Sequence, residues 1–343
     1  MESKFSVFLL QKFKGGLHLS RGLTNAYDKS LDTLHSDTIK SALFVCALSL
    51  YGPEQVGEGF LKSFKISSAF PFFNSQTRGE RLYFFPKPEI DRLPLDFRSD
   101  VGKEKKLKKL EYLEKSLFEQ LISGQSATLS PDDYSGKYAA ASAVQLRATL
   151  LKENCEHITR SHPFQHVAIS RDHSTDSEPY YVDKIFFHKN AGLFFLVEAE
   201  GETMDMLKAA MRLLADNGIG TDRNVGNGQF EASFDQIELN LPAQADYEMA
   251  LSLYCPQREE VGSKDMERAY FSLIKRGGYV SSPEREEHQT LRKKSIYMFG
   301  EGSIFPKYPD RKGKIVDLKP EYTGFDHPVW RDGQAIFLPY KAK

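Results

Sequence analysis

Cysteine is scarce in this chain, and long apolar runs are absent from it. Only three cysteines occur among 343 residues, Cys46, Cys155 and Cys255, and no two of them form a CxxC pair. This spacing argues against a zinc site and against the disulfide framework of a secreted protein. No run approaches the length that crosses a bilayer, and the first residues lack the apolar region of a signal peptide. We therefore expect a cytoplasmic protein with no membrane contact and no metal.

An excess of charge of one sign is also lacking. Lys and Arg together number 46 and Asp and Glu 47, so the formal net charge is −1. The whole molecule therefore does not attract nucleic acid, and any RNA binding must come from a local basic patch or be shared with partner subunits. A length of 343 residues favours about two domains.

What the sequence does contain is a concentration of glycine within residues 217–230. Glycines at positions 218, 220, 226 and 228 flank a single arginine, Arg223. Glycine permits positive φ angles, a loop of this kind can point its N–H groups at an anion, and the guanidinium matches phosphate geometry. The loop therefore predicts phosphate binding. The alternative is a flexible connection between a helix and a strand.

The segments on either side decide what kind of loop this is. Residues 202–216 carry Met204, Leu207, Met211 and Leu214 at spacings of three and four, which predicts a helix. Residues 230–234 alternate as in a strand. A dinucleotide-binding loop needs the strand first and the helix second, and a Walker loop needs Gly-Lys-Ser/Thr, which none of the three Gly-Lys pairs provides. Both kinds of nucleotide-binding loop are excluded.

The motif Gly218-x-Gly220-x-x-Arg223-x-x-Gly226-x-Gly228-x-Phe230 after a helix resembles the glycine loop of the RAMP superfamily of CRISPR effector complexes. The variant of this motif with a Thr-Asp pair before the arginine resembles that of the fourth Csm subunit, which belongs to the Cas5-like group. That subunit is the type III-A member that holds the 5′ tag of the crRNA. Further stretches resemble this group in the same order, so the resemblance spans nearly the whole chain. It is weakest over residues 86–160.

The resemblance implies an α+β fold of two ferredoxin-like, RRM-like domains with antiparallel sheets. Residues 1–240 would form the first domain, with a helical insertion at about 103–123, a projecting thumb-like β-hairpin at about 124–184 and the glycine loop at 217–230. Residues 246–343 would form the second. Local patterns add a strand at 5–13, a helix capped by Ser36 or Asp37 with Leu50 on its buried face, and a hairpin that joins residues 185–188 to residues 193–197.

The resemblance also implies RNA contacts outside the glycine loop. The start of the first helix, with Lys40, would seat a phosphate, and Arg171 falls in the thumb region. His18 matches a position near the RNA but is alternatively a structural histidine. The predicted RNA-binding residues are His18, Ser36, Lys40, Arg171, Gly218, Gly220, Thr221, Arg223, Asn224, Gly226, Gly228, Arg276 and Lys294.

The function implied is that of a non-catalytic subunit of a type III-A antiviral effector complex. Its partners would be the crRNA, through the 5′ tag, the large signature (Cas10-type) subunit and the backbone RAMP subunit, with target RNA met only indirectly. No cofactor is implied.

Two alternatives stay open. Some RAMP proteins are metal-independent crRNA-processing endoribonucleases, but such cleavage needs a base and an acid on opposite sides of one phosphate. No pair of histidines here stands in such a setting, and Asp37, near the position of the target-cleaving aspartate of the backbone subunit, is alternatively a helix cap. We predict no enzyme. The other alternative is a structural adaptor that makes no RNA contact.

Overall fold

The computed structural model describes residues 2–19, 30–31, 33–98, 103–168, 178–262, 266–280, 291–321 and 326–342. The described helices are α1 (Ser36–Tyr51), α2 (Glu58–Lys62), α3 (Lys103–Lys109), α4 (Lys115–Ile122), α5 (Leu146–Lys152) and α6 (Gly201–Asn217). The described strands are β1 (Glu2–Lys14), β2 (Lys65–Ile66), β3 (Phe70–Ser75), β4 (Glu80–Pro86), β5 (Leu95–Phe97), β6 (Tyr112–Glu114), β7 (Ala127–Leu129), β8 (Tyr134–Ser135), β9 (Tyr138–Ala139), β10 (Thr159–Ala168), β11 (Glu178–Phe187), β12 (Ala191–Glu198), β13 (Gln229–Asn240), β14 (Tyr247–Ala250), β15 (Leu273–Arg276), β16 (Ile296–Phe299), β17 (Ile304–Pro306), β18 (Ile315–Asp317), β19 (Trp330–Asp332) and β20 (Phe337–Tyr340).

Strand β1 lies inside the main sheet, whose order is β13-β1-β12-β3-β4-β6-β9-β8, with β2 paired to β12. Both neighbours of β1 run antiparallel to it. Because side chains alternate along a strand, Val7 and Leu9 enter one hydrophobic core and Phe8 and Leu10 enter the other. The strand predicted at 5–13 is confirmed, and it is covered on both faces.

Helices α1 and α6 cover the face of the sheet that carries Phe8. The helix predicted at 202–216 is α6, and Leu207, Met211 and Leu214 are buried as the spacing indicated. The helix predicted after a cap at Ser36 or Asp37 is α1, but it already begins at Ser36, so the predicted cap is wrong. His35 occupies the N-cap position without a side-chain hydrogen bond, and Leu50 is 47% exposed rather than buried.

The insertion lies on the other face of the sheet. The prediction of a single helix at 103–123 is wrong. Helices α3 and α4 are separate, and β6 lies between them. Strand β6 pairs antiparallel with β4 and parallel with β9. The carboxylate of Glu114, the last residue of β6, accepts a hydrogen bond from the Ser116 amide and so caps α4. Long-range strand pairing therefore overrides the helical spacing of the leucines.

Strands β10 and β11 form a two-stranded hairpin that extends from the main sheet. Their register runs from Thr159 opposite Phe187 to Ala168 opposite Glu178. The prediction that residues 185–188 pair with residues 193–197 is wrong, because β11 pairs with β10 while β12 pairs with β1 and β3. Four large side chains on the hairpin are exposed at the surface: Phe164, Val167, Tyr180 and Tyr181.

The second half of the chain is built on the three-stranded sheet β17-β14-β20, with two-stranded pairs β15-β16 and β18-β19. Met249 and Leu251 of this half share a hydrophobic core with Val7 and Leu9 of the first. The α+β class is confirmed. Among the described residues of 246–343 the named elements are these strands and one 3₁₀ turn, which does not confirm a second ferredoxin-like domain. No helix in the described part of the chain is long and apolar enough to span a membrane.

Candidate nucleic-acid interface

The glycine loop begins where α6 ends and is closed by its own backbone. Gly218, with φ of +77°, donates its amide to the Leu214 carbonyl at 2.8 Å. The Ile219 amide then donates to the Gly228 carbonyl at 2.9 Å. Gly228 has φ of +73°, and a side chain there would collide with the Ile219 carbonyl oxygen. The two glycines are thus required by the base of the loop, which brings its two ends together.

The loop is fastened to the segment that leaves β1. The Thr221 amide donates to the His18 carbonyl at 3.0 Å, and a Cβ at Gly220 would stand 2.6 Å from that same oxygen. On the other side of the loop, the buried Asn227 Oδ1 lies 3.5 Å from the Lys184 Nζ of β11. Backbone contact on one side and a side-chain contact on the other therefore fix the loop between β1 and the hairpin.

The tip of the loop, residues 222–226, is exposed to solvent. It forms a 3₁₀ turn, Arg223–Val225, in which the Val225 and Gly226 amides donate to carbonyls inside the loop. The amides of residues 222–224 make no hydrogen bond to the described residues, as expected at the start of a helical turn. Such free N–H groups beside a guanidinium can bind an anion by donating hydrogen bonds to it.

Arg223 stands at this tip, close enough to α1 for its charge to act on a side chain of that helix. Burial raises the pKa of the Cys46 thiol in α1, while the Asn217 side chain and the Arg223 charge oppose that rise, which places the guanidinium near this helix. No hydrogen bond or ion pair to the described residues engages Arg223. A basic side chain without an internal partner, on an exposed turn, is available for an external phosphate.

His18 was predicted to touch RNA, but its imidazole is 1% exposed. Its Nδ1 lies 2.5 Å from the Asp183 carbonyl oxygen of β11, and its Nε2 has no partner among the described residues. The structure therefore supports the alternative, a structural histidine. What His18 contributes to the glycine loop is its backbone carbonyl.

The start of α1 is buried against the second half of the chain rather than open to a phosphate. Asp37 is fully buried and forms ion pairs with Arg276 and Arg331. Burial opposes ionisation of Asp37, but the two guanidiniums outweigh it and hold its pKa well below the usual range. Asp37 is therefore a carboxylate locked between two arginines. Arg276, predicted to bind RNA, is mostly buried and already occupied by this pair.

Ser36 and Lys40 were also predicted to bind RNA, and neither side chain is accessible. The Ser36 hydroxyl accepts the Leu253 amide at 3.0 Å. The Lys40 ammonium donates to the Phe64 carbonyl at 2.8 Å and pairs with Asp332 at 3.2 Å. The contacts with Leu253 and Asp332 join the two halves of the chain, so both residues are structural here and the prediction of RNA contact is not supported.

The remaining predicted residues lie in different places. Lys294 is exposed, whereas its neighbour Lys293 is half-buried, and desolvation together with the charge of Arg331 lowers the pKa of Lys293 to about 8. Arg171 lies outside the described residues. The structure thus brings the members at 218–228 together, and it places Ser36, Lys40 and Arg276 in a separate buried cluster. Cys46 is nine residues beyond Asp37, roughly 14 Å along α1, which separates the cluster from the glycine loop.

One surface was missed by sequence reasoning. On the hairpin, His162, Phe164 and His166 of β10 stand opposite Lys184, Val182 and Tyr180 of β11 and therefore share one face with them. The His166 and Tyr180 rings stack with their centres 5.5 Å apart, and the Lys184 Nζ lies 5.4 Å from the centre of the Phe164 ring. Lys184 and Val182 are buried on this face, whereas Phe164 and Tyr180 are exposed, and exposed aromatic rings suit unstacked bases. The alternation of residues 160–166 was the signal that could have indicated it.

No group of three potential metal ligands occurs among the described residues. The sheet centred on β1, the two helices on one face and the glycine loop between α6 and β13 are the arrangement that the resemblance to RAMP proteins implies, so the class is one of RAMP-like fold.

Comparison with known proteins narrows the class. Residues 243–340 match the family model described as the CRISPR Csm4 C-terminal domain. Proteins named Csm4 are similar along the chain, among them those of Methanocaldococcus jannaschii (23% identical, 98% of each chain covered) and Thermococcus onnurineus (26% identical, 87% of this chain and 89% of the relative).

Solved structures agree with these matches. A Csm3-Csm4 subcomplex of the type III-A CRISPR-Cas interference complex superposes with a TM-score of 0.63, at 20% identity over 98% of this chain and 99% of that one. A Csm1-Csm4 cassette in complex with cA4 gives a TM-score of 0.62, at 20% identity over 99% of both chains. The resemblance predicted from the sequence is confirmed, and the chain is Csm4-like.

Proposed function

We propose that this chain is a non-catalytic crRNA-binding subunit of a type III-A CRISPR effector complex, acting in the cytoplasm. It would cap the 5′ tag of the crRNA and bridge the large signature subunit to the backbone RAMP subunit. Relatives named Csm4 form solved complexes with Csm1 and with Csm3, which supports both protein partners. The observation that carries RNA binding is the exposed tip of the glycine loop, with Arg223 and three free amides.

The RNA would be held in two ways. Phosphates would lie on the amides of the loop tip, with Thr221, Arg223 and Asn224 beside them, and Lys294 would add a charge at a separate place. Bases would stack on the aromatic face of the β10–β11 hairpin, which we propose is the thumb. Phosphate contacts position a strand without reading its sequence, so tag recognition depends on the base contacts.

We further propose that residues 1–240 and 246–343 are two ferredoxin-like units. For the first unit, the order β13-β1-β12-β3 with α1 after β1 and α6 after β12 supports the β-α-β-β-α-β arrangement. For the second, the support is a family-model match that begins at residue 243.

The absence of catalysis is part of the proposal and is supported by two side chains. Asp37 is enclosed and paired with two arginines, so it cannot approach a scissile phosphate without breaking both ion pairs. His18 is buried under the glycine loop. The endoribonuclease alternative would be upheld if the purified chain cut repeat RNA in the absence of metal.

The test of RNA binding is crRNA occupancy of the assembled complex. Arg223→Ala combined with Gly226→Val should reduce the crRNA that co-purifies, because the variant loses the guanidinium and distorts the tip. Arg147→Ala, another exposed arginine on α5, is the matched control and should retain full occupancy. If the double variant keeps its crRNA, the chain is an adaptor and RNA is held elsewhere.

A further inference from the structure

A partly enclosed cavity of about 170 Å³ lies beneath the base of the β10–β11 hairpin. One wall is aliphatic and includes Leu17 and Ile185, which form a backbone bridge with each other. The opposite wall is aromatic and comes from Tyr112 and Tyr138 of the insertion. None of the residues predicted to bind RNA lines this cavity, so it is distinct from the glycine loop.

The aromatic wall is flat, and beside it lies the ammonium of Lys137, which is ion-paired with Glu111 at 3.1 Å. The rings of Tyr112 and Tyr138 are stacked with their centres 5.5 Å apart and an angle of 19° between their planes. The Lys137 Nζ lies 5.4 Å from the centre of the Tyr112 ring. Rings beside a cation form the kind of surface on which proteins hold unstacked nucleobases.

Hydroxyl groups stand at the edge of this wall. The Tyr138 hydroxyl lies 3.2 Å from the Thr159 Oγ1, and both residues line the cavity. Ser161 also lines it and is exposed, which marks the side on which the cavity opens. Because a hydroxyl both donates and accepts hydrogen bonds, these groups can pair with the polar edge of a base.

The cavity adjoins both fastenings of the glycine loop. Leu17 precedes His18, whose carbonyl accepts the Thr221 amide, and Ile185 follows Lys184, whose ammonium lies near Asn227. Two residues of the cavity wall, Leu17 and Ile185, are therefore each one position away from a residue that fastens the glycine loop. The volume is below the roughly 300 Å³ at which pockets for whole small molecules begin, and it suits a single ring system.

We propose that this cavity takes one unstacked nucleobase of the bound RNA. The base enters past Ser161, lies between the tyrosine wall and the aliphatic wall, and presents its polar edge to Tyr138 and Thr159. The inference rests on the proposed function, because the base belongs to the RNA that the glycine loop holds.

The test is a double-mutant cycle between protein and RNA. The full-length chain in its complex is titrated with RNA oligonucleotides that each lack the base at one position. The variant Thr159→Phe places a ring in the cavity. We expect one abasic RNA to bind the wild type roughly tenfold more weakly, and Thr159→Phe to bind the intact RNA with that same loss. The two changes together should cost no more than either alone.

Gln165→Phe, on the same face of β10 but away from the cavity, is the matched control and should bind like the wild type. Photocrosslinking of the wild-type complex with 4-thiouridine at the sensitive position is independent of how the variant folds, and it should label Tyr112 or Tyr138. Additive losses at every position together with crosslinks confined to other residues would overturn the cavity while leaving the proposed function standing. A wild type that binds no RNA overturns both.

Discussion

Gly228 is the residue at which the glycine loop should tolerate least change. Its φ is positive and any Cβ collides with the Ile219 carbonyl oxygen, whereas Gly226, with φ of +82°, has open space around its Cα. We expect Gly226→Ala to lower the free energy of unfolding by about 1 kcal/mol, from the backbone strain alone. Gly228→Ala should lower it by more than about 3 kcal/mol, because the loop must also reopen.

Denaturant unfolding of the two variants measures this difference, with Gly226→Ala as the control for positive φ. Equal losses for both variants would contradict the close contact at the base of the loop.

Asp37 gives the stability of the molecule a dependence on pH. Its pKa is lowered in the folded protein, because Arg276 and Arg331 outweigh the effect of burial. A carboxyl group whose pKa is lowered by folding stabilises the fold at pH values above the ordinary aspartate pKa. This stabilisation is lost progressively as the pH falls from that value toward the lowered pKa of the folded protein. Asp37→Asn leaves two arginines without their shared carboxylate, so we expect a loss of about 3–5 kcal/mol near neutral pH.

The measurement is the unfolding free energy of wild type and Asp37→Asn between pH 7 and pH 3. The difference in unfolding free energy between the wild type and Asp37→Asn should become smaller below about pH 4. Asp132→Asn, at an exposed aspartate, should match the wild type at every pH. A gap that stays constant with pH would mean that the charge of Asp37 does not stabilise the fold.

The two faces of the β10–β11 hairpin can be compared for RNA binding by substituting one tyrosine on each face. Tyr180 shares a face with Phe164 and Lys184, while Tyr181, opposite Gln165, lies on the other face. Both tyrosines are exposed, at 41% and 54% respectively. Since stacking of one base contributes about 1–3 kcal/mol, Tyr180→Ala should weaken RNA binding roughly tenfold. Tyr181→Ala should change it less than about twofold.

Filter binding with a fluorescent crRNA measures both variants, and the two substitutions control each other because they remove the same ring. A larger loss for Tyr181→Ala would assign the base stacking along the hairpin to the opposite face, the one that carries Thr159 and Ser161 of the cavity described above.

Elements whose burial follows local periodicity could be predicted from the sequence. Helix α6 was predicted to within one residue at each end, because its buried face repeats every three to four residues. The division of residues 103–123 into α3, β6 and α4 could not be predicted in this way. The position of β6 is set by its pairing with β4 and β9, which are distant in the sequence. The partner of β11 was missed for the same reason. A short turn indicates a hairpin, but pairing is decided by strands that local pattern does not reveal.

The candidate site divides along a similar line. The glycine motif could be recognised in the sequence, because positions with positive φ favour glycine. Ser36 and Lys40 looked like a phosphate seat because a helix begins there. Their burial against Leu253 and Asp332 comes from the second half of the chain, which no pattern around residue 36 contains. The fastening by Asn227 and Lys184 was missed because it too depends on tertiary contact.

The balance of charge over the whole molecule decides how its RNA binding should respond to salt. A net charge of −1 supplies no general attraction for a polyanion, so the salt dependence must come from the few cations that touch phosphates. Each phosphate contact on a single strand contributes about 0.7 to the slope of log K against log salt concentration. We therefore expect Arg223→Ala to reduce the magnitude of that slope by about 0.7 in titrations of the complex from low to moderate salt, as one contact is lost. Arg147→Ala, which changes the net charge equally, should leave the slope unchanged, because a distant charge releases no counterion from the bound strand. If the two variants shift the slope by the same amount, the attraction is a property of total charge, and the glycine loop is not where the RNA is held.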